Sequence, residues 1–443
     1  MGRGGWPSAP CASRAACAKA APASNSAREM DANEIKRVVI VGAGQAGGET
    51  AQRLRQGGFE GEITLIGEEP FAPYQRPPLS KKYLAGEYEA DRLLLRPPEV
   101  YAQENIALLT KTRVVWIDRA NKRVRLEGGR ELSYDALVLA TGARPRTLKL
   151  AGADLAGSHV VRTLADIDAM KPAFVPGARL VVVGAGYIGL EAAAVARTLG
   201  LDVTVVEAAV RPLARVTSPD VAGFFLDEHT SQGVRFVLSA QLALIKGVDR
   251  VTGVRLSDGP EIPADIVIAG IGVTPDTTLA SHSGLPAEDG IVTDRNCRTA
   301  DPAIFAIGDC AKRPAVHFDN RVVRLESVHN AIEGGKIVAA TILGHKPPAE
   351  EAPWFWSDQY DLKLQIAGLF QGYDHAVLRG SMEKRAFAMF YYKAGRLIAV
   401  DAVNRPGEYL GAKLLIQTGR SIPPNVLQDE SRPMKELVAA AKD

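Results

Sequence analysis

The stretch VVIVGAGQAGGE, residues Val38 to Glu49, decides the fold of this chain. Its apolar start predicts a strand buried on both faces, and the residues after the glycines favour a helix. Between them stand Gly42, Gly44 and Gly47 with the spacing G-x-G-x-x-G. In this motif the glycines allow a tight turn, a close backbone approach to a pyrophosphate, and close packing of helix on strand. Because the helix N-terminus then offers free N–H groups to phosphates, the stretch predicts a dinucleotide site.

The same pattern returns in the middle of the chain. The sequence VVVGAGYIGLE begins at Val181 and again gives a strand, a glycine turn and a helix, with glycines at Gly184, Gly186 and Gly189. From first glycine to first glycine the two motifs lie 142 positions apart (184 minus 42), about one domain length. The repeat predicts an α/β chain with two dinucleotide-binding units, one cofactor being held and the other exchanged.

An acidic residue follows the second strand of each unit. Glu68 and Glu207 both stand where such an acid accepts a hydrogen bond from an adenosine ribose. For Glu68 the alternative is a solvated loop carboxylate, since Glu69 is adjacent. Because a carboxylate repels a 2′-phosphate, Glu207 predicts a preference for NADH over NADPH. Arg211 and Arg215 follow closely and could weaken that preference.

Composition argues against several other classes of protein. The 53 basic and 51 acidic residues nearly cancel, which gives no indication of nucleic-acid or membrane-surface binding. No apolar run approaches the roughly 18 residues that span a bilayer. The histidines show no metal-ligand spacing, and none of the cysteines forms a C-x-x-C pair: Cys11, Cys17, Cys297 and Cys310. We expect a cytoplasmic enzyme without a metal site and without the dithiol of disulfide reductases.

The two ends of the chain differ in amino-acid composition from the repeated units. Residues 1–33 are rich in Ala, Ser and Pro, which predicts a disordered extension. Charged residues interrupt any signal-peptide core; a transit peptide is one interpretation, and a true start at Met30 is the one we favour. After Pro347 an aromatic cluster that includes Trp354 and Trp356, followed by two strand-like stretches, predicts a third, α+β domain.

Two nucleotide units without a dithiol predict hydride transfer between cofactors, followed by exit of the electrons elsewhere. A nicotinamide gives two electrons as hydride, whereas a flavin accepts a hydride and releases electrons singly. One unit is therefore expected to bind FAD and the other NAD(P)H.

Six motifs in a fixed order resemble the FAD-dependent NADH:ferredoxin (redoxin) reductases: GAGQAGGE, PPLSKKYL, ATGARPR, GAGYIGLE, AIGD and PWFWSDQY. The resemblance runs from about Ile35 to the C-terminus. It implies two Rossmann-like domains of the glutathione-reductase type plus a C-terminal α+β domain. The implied boundaries are 34–146 with 278–346 for FAD, 147–277 for NADH, and 347–443 for the C-terminal reductase domain.

The resemblance also implies which residues surround FAD. Lys81 would lie beside the flavin ring, where a cation tunes the potential; the alternative is a surface lysine, since Lys82 is adjacent. Asp309 would bind the ribitol chain, the helix that begins at Val328 would face the pyrimidine side, and Trp356 would lie at the ring edge. The resemblance implies further contacts at the pyrophosphate, at the adenosine and over the bound cofactor. The residues are Gly42, Gly44, Ala46, Gly47, Glu68, Val114, Thr141, Gly142 and Arg162.

Besides Lys81, the resemblance implies two catalytic residues in the second unit, together with the NADH contacts. Tyr187 would cover the flavin until the nicotinamide displaces it, and Glu191 would pair with Lys81. The alternative for Glu191 is simple stabilisation of the helix N-terminus. The implied NADH contacts are Gly184, Gly186, Tyr187, Ile188, Gly189, Glu207 and Gly272.

The implied function is electron transfer from NADH through FAD to a two-iron two-sulfur ferredoxin that serves a haem monooxygenase or a ring-hydroxylating oxygenase. Catalysis would depend on cofactor positioning and electrostatics rather than on an acid or base. One rival is an NADH oxidase or peroxidase-type flavoenzyme, for which Cys310 is the only cysteine near the expected flavin. Another is a flavoprotein similar to apoptosis-inducing factor with a mainly interaction role. For the assembly we expect a monomer or weak dimer.

Overall fold

The structure is a computed structural model that describes residues 34–441, so the extension predicted at residues 1–33 lies outside the described part. The first unit begins with the strand, helix and strand that the opening motif predicts. A short helix, a three-stranded sheet and three further strands follow. Its elements are β1 (Arg37–Val41), α1 (Gln45–Gln56), β2 (Glu62–Ile66), α2 (Pro98–Gln103), β3 (Ile106–Leu109), β4 (Val114–Asp118), β5 (Arg123–Leu126), β6 (Glu131–Ser133), β7 (Ala136–Leu139) and β8 (Ala143–Pro145).

The second unit repeats this architecture. Its parallel sheet has the strand order β12-β11-β10-β16-β9, and β13 to β15 form an antiparallel sheet beside it. The elements are β9 (Ser158–His159), α3 (Leu164–Met170), β10 (Arg179–Val183), α4 (Tyr187–Thr198), β11 (Asp202–Glu207), α5 (Pro219–Ser231), β12 (Arg235–Leu238), β13 (Leu242–Gly247), β14 (Val251–Leu256), β15 (Glu261–Pro263), β16 (Ile266–Ala269) and β17 (Val273–Pro275).

The chain then returns to the first sheet. Strand β19 pairs in parallel with β7 and completes the order β19-β7-β1-β2-β3. Ser327 caps the long helix α7, which packs on α1. The elements of this return are α6 (Thr278–His282), β18 (Ile291–Val292), β19 (Ile304–Ala306), β20 (Ala311–Ala315), β21 (Arg321–Val323) and α7 (Val328–Ile342).

The C-terminal part is a five-stranded antiparallel sheet with the order β22-β23-β26-β25-β24. Helix α8 packs on this sheet, which confirms the predicted α+β domain and, with the two parallel sheets, the predicted fold class. The elements are β22 (Trp354–Gln359), β23 (Leu362–Gly368), β24 (His375–Ser381), β25 (Ala386–Lys393), β26 (Arg396–Val403), α8 (Pro406–Thr418), α9 (Pro424–Gln428) and α10 (Met434–Ala440).

A shared core joins the second unit to the C-terminal sheet. Phe225 of α5 and Phe387 of β25 belong to one buried cluster, which also contains Tyr83 from the first unit. At the same contact Thr217 and Tyr391 both donate hydrogen bonds to the buried carboxylate of Asp401. Burial raises the pKa of Asp401 to about 6. Because the three units pack on one another, residues far apart in sequence meet at their junction.

Candidate functional site

The helices that follow the two glycine motifs begin without side-chain caps. Helix α1 starts after Gly44 and helix α4 after Gly186; neither first turn has a capping side chain or an acidic residue. In contrast, Thr163, Ser218 and Ser327 cap α3, α5 and α7. A Cβ added at Gly44 or Gly186 would have no protein atom within 4 Å. Each turn therefore offers free N–H groups and open space, which fits a pyrophosphate.

The other glycines of the motifs serve close packing. Gly42 has φ +115°, and a Cβ there would lie 2.1 Å from the Ala140 carbonyl oxygen. A Cβ at Gly47 would lie 2.0 Å from the Gly42 oxygen, and Gly184 and Gly189 are confined in the same way. Both motifs thus have the geometry that the spacing predicts, a tight turn and a helix pressed onto its strand.

Glu68 lies two residues beyond β2, at the surface of the first unit. Its side chain is 51% exposed and forms ion pairs with Arg113 at 3.3 Å and with Arg144 at 3.4 Å. Glu68 is thus a half-exposed loop carboxylate paired with two cations. Sequence reasoning did not identify either arginine as a partner of Glu68, although Arg144 stands in the motif ATGARPR.

Glu207 ends β11 and reaches back to the glycine turn. Its Oε2 accepts from the Ala185 N–H at 2.6 Å, and its Oε1 accepts from the Ala209 N–H at 2.8 Å. Since each carboxylate oxygen has a second lone pair, the group can still accept from a ribose hydroxyl. Arg211 donates to carbonyl oxygens of its own loop, whereas Arg215 is exposed.

Four of the residues implied for FAD meet where β7 and β19 end. Arg162 Nη2 lies 3.3 Å from Asp309 Oδ2. Gly142 has φ +69°, and a Cβ there would lie 3.2 Å from the same guanidinium nitrogen. Thr141 donates to the Asp276 carbonyl oxygen at 2.6 Å. This cluster brings a cation and a carboxylate from distant segments to one edge of the first sheet.

The remaining implied contacts differ in accessibility. Val114 is 5% exposed and its side chain packs in the core, so only its backbone is available to a ligand. Ala46 and Val328 stand in the first turns of α1 and α7. Ile188 is exposed, and a Cβ added at Gly272 would lie 3.6 Å from the Arg215 guanidinium.

A buried ion pair joins the first and second units. Lys81 Nζ lies 2.7 Å from Glu191 Oε2, and the two side chains are 15% and 3% exposed. The expected pair is therefore present, and the alternative of a surface lysine is wrong. Ser80 Oγ donates to Glu191 Oε2 and Ser357 Oγ donates to Oε1, both at 2.6 Å. The carboxylate is thus held by three side chains from two other segments and does not cap its own helix.

Aromatic side chains form one wall beside this ion pair. The Tyr187 ring lies 4.9 Å from the ring of Phe355, and the Trp356 ring lies 5.7 Å from that of Trp354. The Tyr187 hydroxyl donates to the Val216 carbonyl oxygen at 3.4 Å, and burial raises the pKa of this tyrosine well above its usual value. Tyr187 is thus neutral and packed against another aromatic ring, which does not suit a role as an acid or base.

The thiols of the described residues are unsuited to redox chemistry. Cys297 and Cys310 are free and buried. Burial raises the pKa of both, to about 12 for Cys297. The Cys310 thiol donates to the carbonyl oxygens of Ile307 and Leu139 at 3.2 Å and 3.5 Å. Since the reactive form is the thiolate, the geometry argues against a role for Cys310 as a nucleophile.

Over residues 34–441 no group of three or more His, Cys, Asp or Glu side chains is arranged to hold a metal ion. In the same range no helix is both long and apolar enough to cross a membrane.

Comparisons with known proteins agree with this site. The family model of the pyridine nucleotide-disulphide oxidoreductases matches residues 36–335, and the reductase C-terminal model matches residues 354–438. Putidaredoxin reductase from Pseudomonas putida is 45% identical over 93% of this chain and 99% of its own. Rhodocoxin reductase from Rhodococcus erythropolis is 44% identical over 92% and 95%.

Solved structures give the same result. The covalent putidaredoxin reductase–putidaredoxin complex matches with a TM-score of 0.90 and 45% identity over 92% of this chain and 99% of that one. The ferredoxin reductase for the CYP199A2 system from Rhodopseudomonas palustris matches with a TM-score of 0.88 and 42% identity over 92% and 100%. The chain therefore belongs to the pyridine nucleotide-disulphide oxidoreductase family, as an FAD- and NAD(H)-dependent ferredoxin reductase with a reductase C-terminal domain.

Proposed function

We propose that this protein takes electrons from NADH in the cytoplasm and delivers them one at a time to a two-iron two-sulfur ferredoxin that serves a haem monooxygenase or a ring-hydroxylating oxygenase. The observation that carries the proposal is the buried Lys81–Glu191 pair, which joins the two units that carry the open glycine turns, while both cysteines in the described part of the chain are buried thiols. When bound, FAD supplies the step between a two-electron donor and one-electron acceptors. The names of the relatives support the same acceptor class.

The chain's own residues bind and orient the two cofactors. The uncapped start of α1 holds the FAD pyrophosphate, with Glu68 at the ribose and Arg162 with Asp309 near the rest of the cofactor. The uncapped start of α4 holds the NADH pyrophosphate. The remaining contacts that we assign to the two cofactors are Ala46, Val114, Thr141, Gly142, Val328 and Trp356 for FAD, and Ile188 and Gly272 for NADH.

Lys81, Glu191 and Tyr187 set the environment of the flavin ring. Lys81 places a cation beside the ring, and Glu191 holds that cation in position and partly neutralises it. Tyr187 excludes water from the ring until the nicotinamide enters. None of these groups transfers a proton in this scheme, because positioning and fixed charge are enough for hydride transfer between two bound cofactors.

The preference for NADH rests on Glu207. Its two hydrogen bonds to the backbone fix the carboxylate at the glycine turn, where it accepts from a free 2′-hydroxyl and repels a 2′-phosphate. Arg211 does not oppose this preference because its guanidinium is bound to the carbonyl oxygens of Ala214 and Thr217.

We assign ferredoxin docking to basic residues of the C-terminal domain. Among three basic residues of the C-terminal domain, Arg385 is paired with Glu228 and Asp361. Lys384 and Lys393 are exposed and remain available to an acidic partner. We propose a monomer or weak dimer as the working form.

The test is NADH-driven reduction of purified two-iron ferredoxins by the FAD-loaded protein, followed at the visible bands of the iron–sulfur cluster. We expect turnover with NADH, strongly reduced turnover for Lys81→Met, and unchanged turnover for Cys310→Ser. NADH consumption that requires oxygen and ignores added ferredoxin would identify an oxidase instead. A bound FAD that NADH reduces only sluggishly would favour a mainly interaction role.

A further inference from the structure

A chain of hydrogen bonds runs from Glu191 into the contact between the second unit and the C-terminal domain. Ser357 Oγ lies 2.6 Å from Glu191 Oε1, and Gln359 Nε2 lies 3.1 Å from Ser357 Oγ. Gln359 Oε1 lies 2.7 Å from His229 Nε2, and the Tyr360 hydroxyl lies 3.2 Å from His229 Nδ1. The first four of these side chains belong to residues that are at most 3% exposed, so water cannot replace their bonds.

The carboxylate at one end fixes the direction of every bond in this chain. An ionised carboxylate only accepts hydrogen bonds, so the single hydroxyl proton of Ser357 points to Glu191. Ser357 can then only accept from Gln359, whose amide nitrogen faces it and whose carbonyl oxygen faces His229. His229 must therefore carry its proton on Nε2, and its Nδ1 accepts from Tyr360. Because the Gln359 amide does not exchange its protons as an acid or base, the chain transmits polarity rather than protons.

Two further observations indicate that the His229 end of the hydrogen-bond chain is arranged for these bond directions. Burial lowers the pKa of His229 to about 4, which leaves the imidazole neutral with one proton, as the bond directions require. Tyr360 has φ +56°, a left-handed conformation that bulky residues adopt only at a cost. In that conformation its ring lies 5.0 Å from the imidazole. The turn between β22 and β23 thus keeps a strained residue where it can donate to His229.

We propose that His229 and Gln359 are positioning residues that act through Ser357 to hold the Glu191 carboxylate turned toward Lys81. This inference rests on the proposed function, since Lys81 tunes the flavin only if it lies beside the ring. The aligned dipoles stabilise the negative charge of Glu191, and that charge partly neutralises the Lys81 ammonium. When a link is cut, more of the positive charge of Lys81 acts on the flavin, and the flavin becomes easier to reduce.

The experiment measures the two-electron midpoint potential of bound FAD in purified holoenzyme variants. His229→Phe keeps an aromatic ring and removes both nitrogens, and Ser357→Ala removes the last link. We expect each to raise the equilibrium constant for reduction by up to about tenfold, which is about 30 mV for a two-electron couple. The potential of the double variant, His229→Phe with Ser357→Ala, should shift no further than that of Ser357→Ala alone, because Ser357→Ala already interrupts the hydrogen-bond chain. Independent packing defects would instead give shifts that add.

A packing control and a second variant that interrupts the hydrogen-bond chain complete the experiment. Phe236 lies 6.1 Å from the His229 ring and takes no part in the chain, so Phe236→Leu should leave the potential unchanged. If His229→Phe fails to retain FAD, Gln359→Met cuts the neighbouring link and must give the same shift. Unchanged potentials in His229→Phe and Gln359→Met, or additive shifts in the double variant, would overturn the proposal.

Lys81→Met separates this inference from the proposed function. A potential that does not respond to Lys81→Met would mean that the lysine is not beside the flavin, and the placement in the proposed function would fail. A shift with Lys81→Met but none with His229→Phe or Gln359→Met would overturn only the role of the hydrogen-bond chain.

Discussion

Removing the cation of the Lys81–Glu191 pair should destabilise the protein more than removing both charges. At a separation of 2.7 Å the attraction is about 6 kcal/mol for an effective dielectric constant of about 20. Desolvation offsets part of this, and deleting one partner of a buried pair typically costs about 3–5 kcal/mol. Because Ser80 and Ser357 still donate to the carboxylate, we expect Lys81→Met to lose about 3 kcal/mol.

The assay is urea unfolding at a fixed FAD concentration, followed by far-ultraviolet circular dichroism. In Lys81→Met combined with Glu191→Gln the introduced amide is neutral and still offers an oxygen to a serine, so no charge remains buried alone. We expect this double variant to recover at least about 1.5 kcal/mol relative to Lys81→Met. The reasoning is refuted if Lys81→Met unfolds at the wild-type midpoint, or if the double variant is no more stable than Lys81→Met.

Three other predictions test the glycine turns, the nucleotide preference and the buried carboxylate. Gly44→Ala should leave apoprotein stability unchanged but abolish FAD retention, because the added methyl meets no protein atom and instead occupies the space for the cofactor. For the same reason Gly186→Ala should raise KM for NADH. Gly42→Ala should instead destabilise the apoprotein by more than about 1 kcal/mol, which thermal unfolding measures. Glu207→Gln should lower kcat/KM for NADH about tenfold relative to NADPH, measured with ferricyanide as acceptor. Asp401 has a pKa of about 6 in the folded protein, above its value in the unfolded chain, so the wild type loses stability as pH rises from about 4 to about 6. Asp401→Asn should therefore be more stable than the wild type by up to about 3 kcal/mol at pH 8 and no more stable below pH 4, as urea unfolding at the two pH values would show.

The sequence was most informative where a residue type has one physical use. Gly42 and Gly47 stand where any Cβ would collide with a backbone oxygen, so their spacing predicts the turn directly. Runs such as Leu180 to Val183 predict central parallel strands because only strands buried on both faces are continuously apolar. Ser327 and the helix that it caps are predictable for the same kind of reason, since a short polar side chain at an N-cap satisfies a free N–H.

The sequence was least informative about contacts between units. Lys81 and Glu191 are 110 positions apart (191 minus 81), and their pairing was expected only from the resemblance. Ser357 stands in the motif PWFWSDQY, but nothing in that motif indicates its partner, and His229 stands in none of the motifs. Only the packing of the C-terminal sheet on α4 and α5 brings Ser357 to the Glu191 carboxylate and His229 into the hydrogen-bond chain that ends there.

The ion pair therefore depends on the arrangement of all three units at once. The first unit supplies Ser80 and Lys81, the second supplies Glu191, and the C-terminal domain supplies Ser357. A shift of any unit by about an ångström would break a bond of 2.6 Å or 2.7 Å to a carboxylate that has almost no access to water. With Lys81 beside the flavin, as we propose, the position of the C-terminal domain determines how much of the lysine's charge acts on the cofactor. In this proposal a domain that contributes no nucleotide motif controls how readily the flavin accepts electrons.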